Sequence, residues 1–295
     1  MPNLPLRHNR TAEFADAWPA APRPRWSSTT ADPSDAAAIA HRGRVLAEAW
    51  MPTIENRIDF LADRCRGKRV LDIGCVAHDV GRFDDPSWLH RHLADAADLC
   101  VGVDILEPQV AAMNEAGFDV VAHDLSTGLG PLADRGPFDV IVAGELIEHL
   151  SDLDLLIRIA DTALAPGGEL VLTTPNPYAP DRVWAGQRGI VFENADHVSY
   201  LFPAGIAELA ERNGLRLTGA TTTAVVRART PMVRRLKRFV KSSGWHRVGY
   251  TTIGRGGRQR VIADRPRVAR WLRRSDARFV GETFVYVVSP RLQAR

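Results

Sequence analysis

Five short apolar segments recur between residues 69 and 174, and most of them stop at an acid or a glycine. They are Arg69-Val-Leu-Asp-Ile-Gly74, Leu99-Cys-Val-Gly-Val-Asp104, Phe118-Asp-Val-Val-Ala-His-Asp124, Phe138-Asp-Val-Ile-Val-Ala-Gly144 and Glu169-Leu-Val-Leu-Thr-Thr174. Helical stretches are predicted between most of them, over 86–97, 108–116 and 151–164. The last of these opens on a Ser-x-x-Asp pattern suggestive of a capping box and stops at Pro166-Gly167-Gly168. Continuous apolar strands alternating with helices predict an α/β fold with a doubly wound parallel sheet, both faces covered. Two later strands are expected over 215–226 and 283–289, the first following a helix over 203–213.

Sheets of this kind bind ligands outside the carboxyl ends of their strands. Asp72, Gly74, Asp104, Asp124 and Glu145 all fall there. A single acid at a strand end has an ordinary explanation, because it can cap the next helix. Four acids converging on one edge are hard to explain by folding alone.

The remaining composition narrows the class. The three cysteines, Cys65, Cys75 and Cys100, form neither an even set nor a metal-ligand spacing. That argues against a disulfide framework and for a reducing, cytoplasmic setting. No apolar run reaches the ~18–20 residues of a spanning helix. The first thirty residues hold charges and five prolines without an apolar stretch, so no secretory signal is expected. The net charge of +3 conceals a segregation: between Arg227 and Arg274 there are sixteen Arg or Lys and one acid, Asp264.

Val-Leu-Asp-Ile-Gly-Cys at 70–75, followed by Val-Gly-Val-Asp at 101–104, resembles the class I S-adenosylmethionine (SAM)-dependent methyltransferases. The likeness continues through His123-Asp124-Leu125, Phe138-Asp-Val-Ile-Val-Ala-Gly-Glu-Leu-Ile-Glu-His-Leu150 and Leu164-Ala-Pro-Gly-Gly-Glu-Leu-Val-Leu-Thr-Thr-Pro175. It covers about residues 53–226 and the strand at 283–289. The resemblance implies a Rossmann-like, seven-stranded, mostly parallel sheet with an antiparallel last strand. It also implies SAM as cofactor, held through Asp72, Gly74, Cys75, Asp104, Ile105, Asp124, Leu125 and Glu145. Gly74 suits a tight turn with close backbone approach. Asp104 suits the two ribose hydroxyls, by the logic with which an acid reads ribose in dinucleotide folds. Asp124 stands where the family bonds the adenine amino group, with Ile105, Leu106 and Leu125 flanking the ring.

The loop after the first strand departs from the family's Asp-x-Gly-x-Gly-x-Gly. It reads Asp72-Ile-Gly74-Cys-Val76-Ala-His78. A β-branched residue is poorly tolerated at positive φ. Either the loop takes another path or SAM binding is weakened, and a non-catalytic SAM-binding module stays open as an alternative.

Glu145-x-x-Glu148-His149, with His197 downstream, resembles the ligand set of small-RNA 3′-terminal 2′-O-methyltransferases. Over the Glu-x-x-Glu-His stretch the chain also looks like the ubiquinone-biosynthesis O-methyltransferases. The first likeness implies a divalent metal (Mg, Mn or Zn) on Glu145, Glu148, His149 and His197. A metal acidifies a bound hydroxyl and orients it. His149 or His197 as general base without metal is the alternative.

The expected activity is O-methylation of a hydroxyl-bearing small molecule or glycan-type metabolite, with RNA ribose 2′-O-methylation as the alternative. Residues 175–202 read as a lid or substrate wall, carrying Tyr178, Trp184, Arg188, Phe192 and Tyr200. The expected organisation is a disordered leader at 1–35, N-terminal helices at 36–66, the SAM-binding core at 67–226, a basic insertion at 227–278 and the last strand and tail at 279–295. The basic stretch 227–274 is expected to recruit a polyanion, either an anionic membrane surface or RNA, away from the methyl-transfer centre. The expected setting is cytoplasmic, with peripheral attachment to membrane as one outcome of that recruitment. Within it, short helices are expected at 232–240 and 267–274, and a flexible run at 254–260.

Overall fold

The computed structural model describes residues 32, 34–40, 53–54, 56–76, 83, 85, 87–179, 182–183, 186–191, 194–223, 251–253, 259–261 and 283–290. Nearly all of the leader, residues 41–52 of the expected N-terminal helices, His78, Trp184, Phe192, and the stretches 232–240, 254–258 and 267–274 lie outside the described residues.

The strands are β1 (Thr53–Ile54), β2 (Arg69–Ile73), β3 (Leu99–Asp104), β4 (Val120–Ala122), β5 (Phe138–Gly144), β6 (Leu164–Pro175), β7 (Ile190–Val191), β8 (Leu215–Thr223), β9 (Thr251–Ile253), β10 (Gln259–Val261) and β11 (Thr283–Pro290). The helices are α1 (Arg57–Cys65), α2 (Leu89–Ala96), α3 (Glu107–Glu115), α4 (Leu155–Ala163) and α5 (Pro203–Arg212). The main sheet runs β1-β8-β11-β6-β5-β2-β3-β4. Its pairs are parallel except those of β11, which is antiparallel to both β6 and β8. This is the expected doubly wound, seven-stranded Rossmann-like sheet, extended at one edge by the two-residue β1.

Strand period explains why the apolar runs are continuous. Leu71, Ile73, Val101, Val103, Ile141, Ala143, Leu170 and Leu172 bury against α4 and α5 on one face. Val70, Val140, Val142, Val171, Val285 and Val287 bury with Leu61 and Cys65 of α1 and Leu93 of α2 on the other. Successive side chains leave a strand on opposite sides, so both parities must be apolar. Asp72 shares its parity with Val70 and therefore points toward α2. Gly102 of β3 lies on the same face: a Cβ there would stand 2.7 Å from Cys75 Sγ and 2.9 Å from His90 Cε1.

Several boundaries differ from the sequence reading. Ile54, expected on a helix, pairs in β1 with Thr223 of β8. The helix starts only after Asn56, whose side chain accepts from the Ile58 amide at 2.9 Å. The 36–66 region is therefore not a separate unit at its end: β1 completes the sheet edge and α1 covers the core. The helix expected from Ser151 begins at Leu155, and its N-cap Asp154 makes no side-chain cap bond, so the capping box is not formed. The Pro166-Gly167-Gly168 breaker lies inside β6, which starts at Leu164 and shifts register against β5 between Phe138 and Val140. Asp124 falls outside β4 and caps a 3-10 turn, Leu125–Thr127.

A second, three-stranded sheet, in the order β10-β9-β7, joins two regions that the sequence reading kept apart. β9 and β10 form an antiparallel pair around 254–258 in the basic insertion. β9 also pairs with β7 of the 175–202 stretch. The insertion is thus tied by backbone hydrogen bonds to the expected substrate wall.

Candidate active site

The chain proceeds outward from β2 to β3 and β4, then returns to place β5 on the other side of β2. The reversal opens a crevice at the carboxyl ends of β2 and β5. Gly74 and Glu145 flank it. Gly74 has φ +73, and a Cβ there would stand 3.1 Å from the Leu146 side chain, so only glycine makes this turn without strain.

A cleft of about 850 Å³ follows this edge. Across it the acids stand in sheet order: Glu145 after β5, Asp72 in β2, Asp104 ending β3, and Asp124 after β4. Gly74, Cys75, Ile105, Leu125 and His149 also line it, so it gathers all the expected cofactor residues. Ile105 and Leu106, both large and apolar, stand exposed, while Leu125 is buried.

The acids are held in distinct ways. Asp104 accepts from the Val76 amide at 3.1 Å through Oδ2 and from the Leu106 amide at 3.2 Å through Oδ1. Each carboxylate oxygen retains acceptor capacity for a ligand hydroxyl. Asp124 accepts from the Ser126 amide at 2.9 Å. Hydrogen bonds from Ser126, side chain first and amide second, hold its carboxyl below the usual range. Asp72 is buried and lies 2.9 Å from His90 Nδ1.

The departure from the glycine-rich loop is met by side chains. The Trp88 indole N–H donates to the Cys75 carbonyl at 3.0 Å, and the Val76 amide bonds Asp104. Both fix 74–76 without further glycines. Cys75 turns its sulfur beneath the cleft toward Gly102, and burial pushes its thiol pKa up, so it offers no thiolate.

At the other end, Arg57 of α1 reaches into the cleft. Its Nη1 donates to Thr173 Oγ1 at 3.1 Å and stands 3.3 Å from Glu145 Oε1. Glu145 has φ +56, a left-handed conformation that only a few per cent of non-glycine residues adopt. Its amide donates to the Thr173 carbonyl at 3.0 Å. Glu145 therefore faces Arg57 and stands apart from the group formed by Glu148, His149 and His197. In that group, ligand-type atoms from all three residues lie within 4.8 Å of one another. The two imidazoles meet edge to face at 4.6 Å. The Val198 amide donates to the Glu148 carbonyl at 2.8 Å, which anchors the His197 loop on the turn after β5. His149 Nδ1 lies 3.2 Å from Asp196 Oδ2, and both residues line the cleft.

Arg57, His90, Asp196 and Leu146 are not among the residues expected from sequence. Asp196 adjoins His197 and could have been noticed by proximity. Arg57 and His90 sit on helices, away from the strand-end pattern that carried the search.

The model of the methyltransferase domain family matches residues 42–219. The ubiquinone biosynthesis O-methyltransferase of Idiomarina loihiensis is 29% identical over 199 residues, 64% of this chain and 73% of that protein. The mitochondrial ubiquinone biosynthesis O-methyltransferase of Mus musculus is 29% identical over 164 residues, 50% of this chain and 41% of the relative. The chain thus spans less than half the length of the mouse protein. A SAM-dependent methyltransferase from Archaeoglobus fulgidus aligns over 79% of this chain and 91% of its own, at 17% identity and a TM-score of 0.46. Among the described residues no helix is long and apolar enough to cross a membrane. With the family match spanning more than half of the chain, on a sheet of this order with this switch-point cleft, the chain belongs to the methyltransferase-domain family.

Proposed function

We propose that the protein methylates a hydroxyl oxygen of a small-molecule or glycan-type acceptor. The observation that carries this reading is His149, paired with Asp196 in the wall of the cleft that also holds the cofactor acids. The cleft fits SAM by its own chemistry. Exposed Ile105 and Leu106 with Leu125 suit an adenine ring, Asp104 suits the ribose, and Arg57, at the opposite end, suits a carboxylate. When bound, SAM supplies an electrophilic methyl group on a positively charged sulfur. With Asp196 ionised, His149 donates from Nδ1 and keeps Nε2 free to take the acceptor's hydroxyl proton as the O–C bond forms and the S–C bond breaks. Asp196 holds the ring in that tautomer and orientation.

The group of Glu148, His149 and His197 favours a second reading. Two imidazoles and a carboxylate suit Mn or Zn better than Mg, which prefers oxygen ligands. A metal held there would acidify the acceptor hydroxyl. His149 would then act as ligand and not as base, and vicinal hydroxyls such as those of a terminal ribose would be a fitting acceptor. Recruitment of a polyanion by 227–274, anionic membrane or RNA, is proposed on charge alone.

Labelled SAM incubated with cell fractions tests the acceptor class. Label in solvent-extractable material is expected; label sensitive to ribonuclease would shift the assignment to RNA. Activity that survives dialysis against a chelator supports His149 as base. Activity lost to the chelator and restored by Mn or Zn supports the metal.

A further inference from the structure

A histidine stands buried among apolar and aromatic side chains on the helix after the cofactor loop. His90, on α2, is 1% exposed and, with Cys75 and Val120, closes around Gly102. Its ring packs on Trp88 at 5.6 Å and on Phe118 at 5.5 Å. Among the described residues its Nε2 is buried with no hydrogen-bond partner. Burying an imidazole with one nitrogen unsatisfied is destabilising, so the site needs a reason other than packing.

Among the described residues the polar contact of the ring is Nδ1 to Asp72 Oδ2 at 2.9 Å. Asp72 is 2% exposed and reaches the cleft from the middle of the acid row. On one side stand Arg57 and Glu145; on the other, Asp104 and the apolar pair Ile105 and Leu106. A cofactor laid along this row with its carboxylate at Arg57 and its nucleoside at Asp104 brings its ammonium group to Asp72. Asp72 shares its sheet face with α2 and the three cysteines, Cys65 and Cys75 buried and Cys100 partly so, whose thiols its negative charge reaches. None of these is a cation. His90 supplies the directional hydrogen bond that points the carboxylate.

We propose that His90 is a positioning residue for the cofactor: it fixes the Asp72 carboxylate in the cleft wall to receive the ammonium of the SAM methionine. This rests on the SAM reading of the cleft. It explains why a polar ring stands there, since an apolar ring would leave Asp72 buried without a directed donor.

The test compares two nucleosides that share the adenosine but differ at the amino acid. S-adenosylhomocysteine carries the ammonium; 5′-methylthioadenosine lacks the amino acid altogether. Calorimetry is run on the full chain and on His90→Leu and His90→Asn, the second keeping an N–H donor near the place of Nδ1. His90→Leu is expected to weaken S-adenosylhomocysteine by about tenfold or more, the scale of one hydrogen bond to a charged group. Methylthioadenosine binding should be unchanged, and His90→Asn should recover most of the loss. Equal weakening of both ligands would show that His90 only supports the fold of the loop, and would overturn the proposal. So would unchanged binding of both, or a loss in His90→Asn as large as in His90→Leu. If the unsubstituted protein binds neither nucleoside, the SAM reading itself fails and the proposal falls with it.

Discussion

Asp196 and His149 come from separate loops at the carboxyl edge of the sheet, and their side chains meet at 3.2 Å. The loop holding Asp196 is pinned where the Val198 amide bonds the Glu148 carbonyl, so the pairing is set by backbone as well as by charge. If Asp196 orients the imidazole, Asp196→Ala should lower kcat by about ten- to a hundredfold. The KM for SAM should stay near that of the parent protein. Steady-state kinetics with the acceptor saturating check this; a change confined to KM would place Asp196 in binding alone.

Arg57→Met keeps the aliphatic stem and removes the charge. Cofactor affinity should fall about tenfold, as expected for loss of a charge-assisted bond to a carboxylate. The loss should vanish for 5′-methylthioadenosine, which has no carboxylate. Titration of both ligands against the variant distinguishes a carboxylate contact from a general collapse of the cleft.

Glu145 combines an unfavourable backbone conformation with an ion pair to Arg57. The two contributions separate by substitution. Glu145→Ala retains the strain and loses the pair, whereas Glu145→Gly loses both. Glycine should therefore be more stable than alanine here by about 1 kcal/mol, the reverse of the usual order. Denaturant unfolding of the two variants measures the difference.

Burial pushes the Cys65 thiol up to about 12, with the charge of Asp72 adding to the shift. Cys75 and Cys100 are raised by the same cause. A thiol raised in the folded state contributes stability that is complete below its unfolded value of about 8.5 and is lost as pH climbs toward the folded value. The urea midpoint should therefore decline above about pH 9, and the decline should be shallower in Cys65→Ala. At pH 8 the native thiols should react slowly with a thiol reagent and quickly once the chain is unfolded.

Much of the fold is legible in the chain because it depends on local periodicity. Both parities of Arg69–Ile73 and Phe138–Gly144 carry buried apolar residues, which identifies strands covered on two sides. The turn at Gly74 is legible for the same reason, since a residue at φ +73 right after a strand calls for glycine. The acids that line the cleft sit at strand ends, so they can be read once the sheet is inferred. Tertiary structure alone decides which partners meet. Arg57 reaches Glu145, Asp196 reaches His149 and His90 reaches Asp72 from elements whose spacing in sequence has no period linking them. The same is true of β1 joining β8 and of β9 joining β7, which pair through backbone groups that every residue carries. Side-chain type therefore marks the surfaces that must be buried or bind a ligand, while the packing of helix on sheet selects which charged groups face one another.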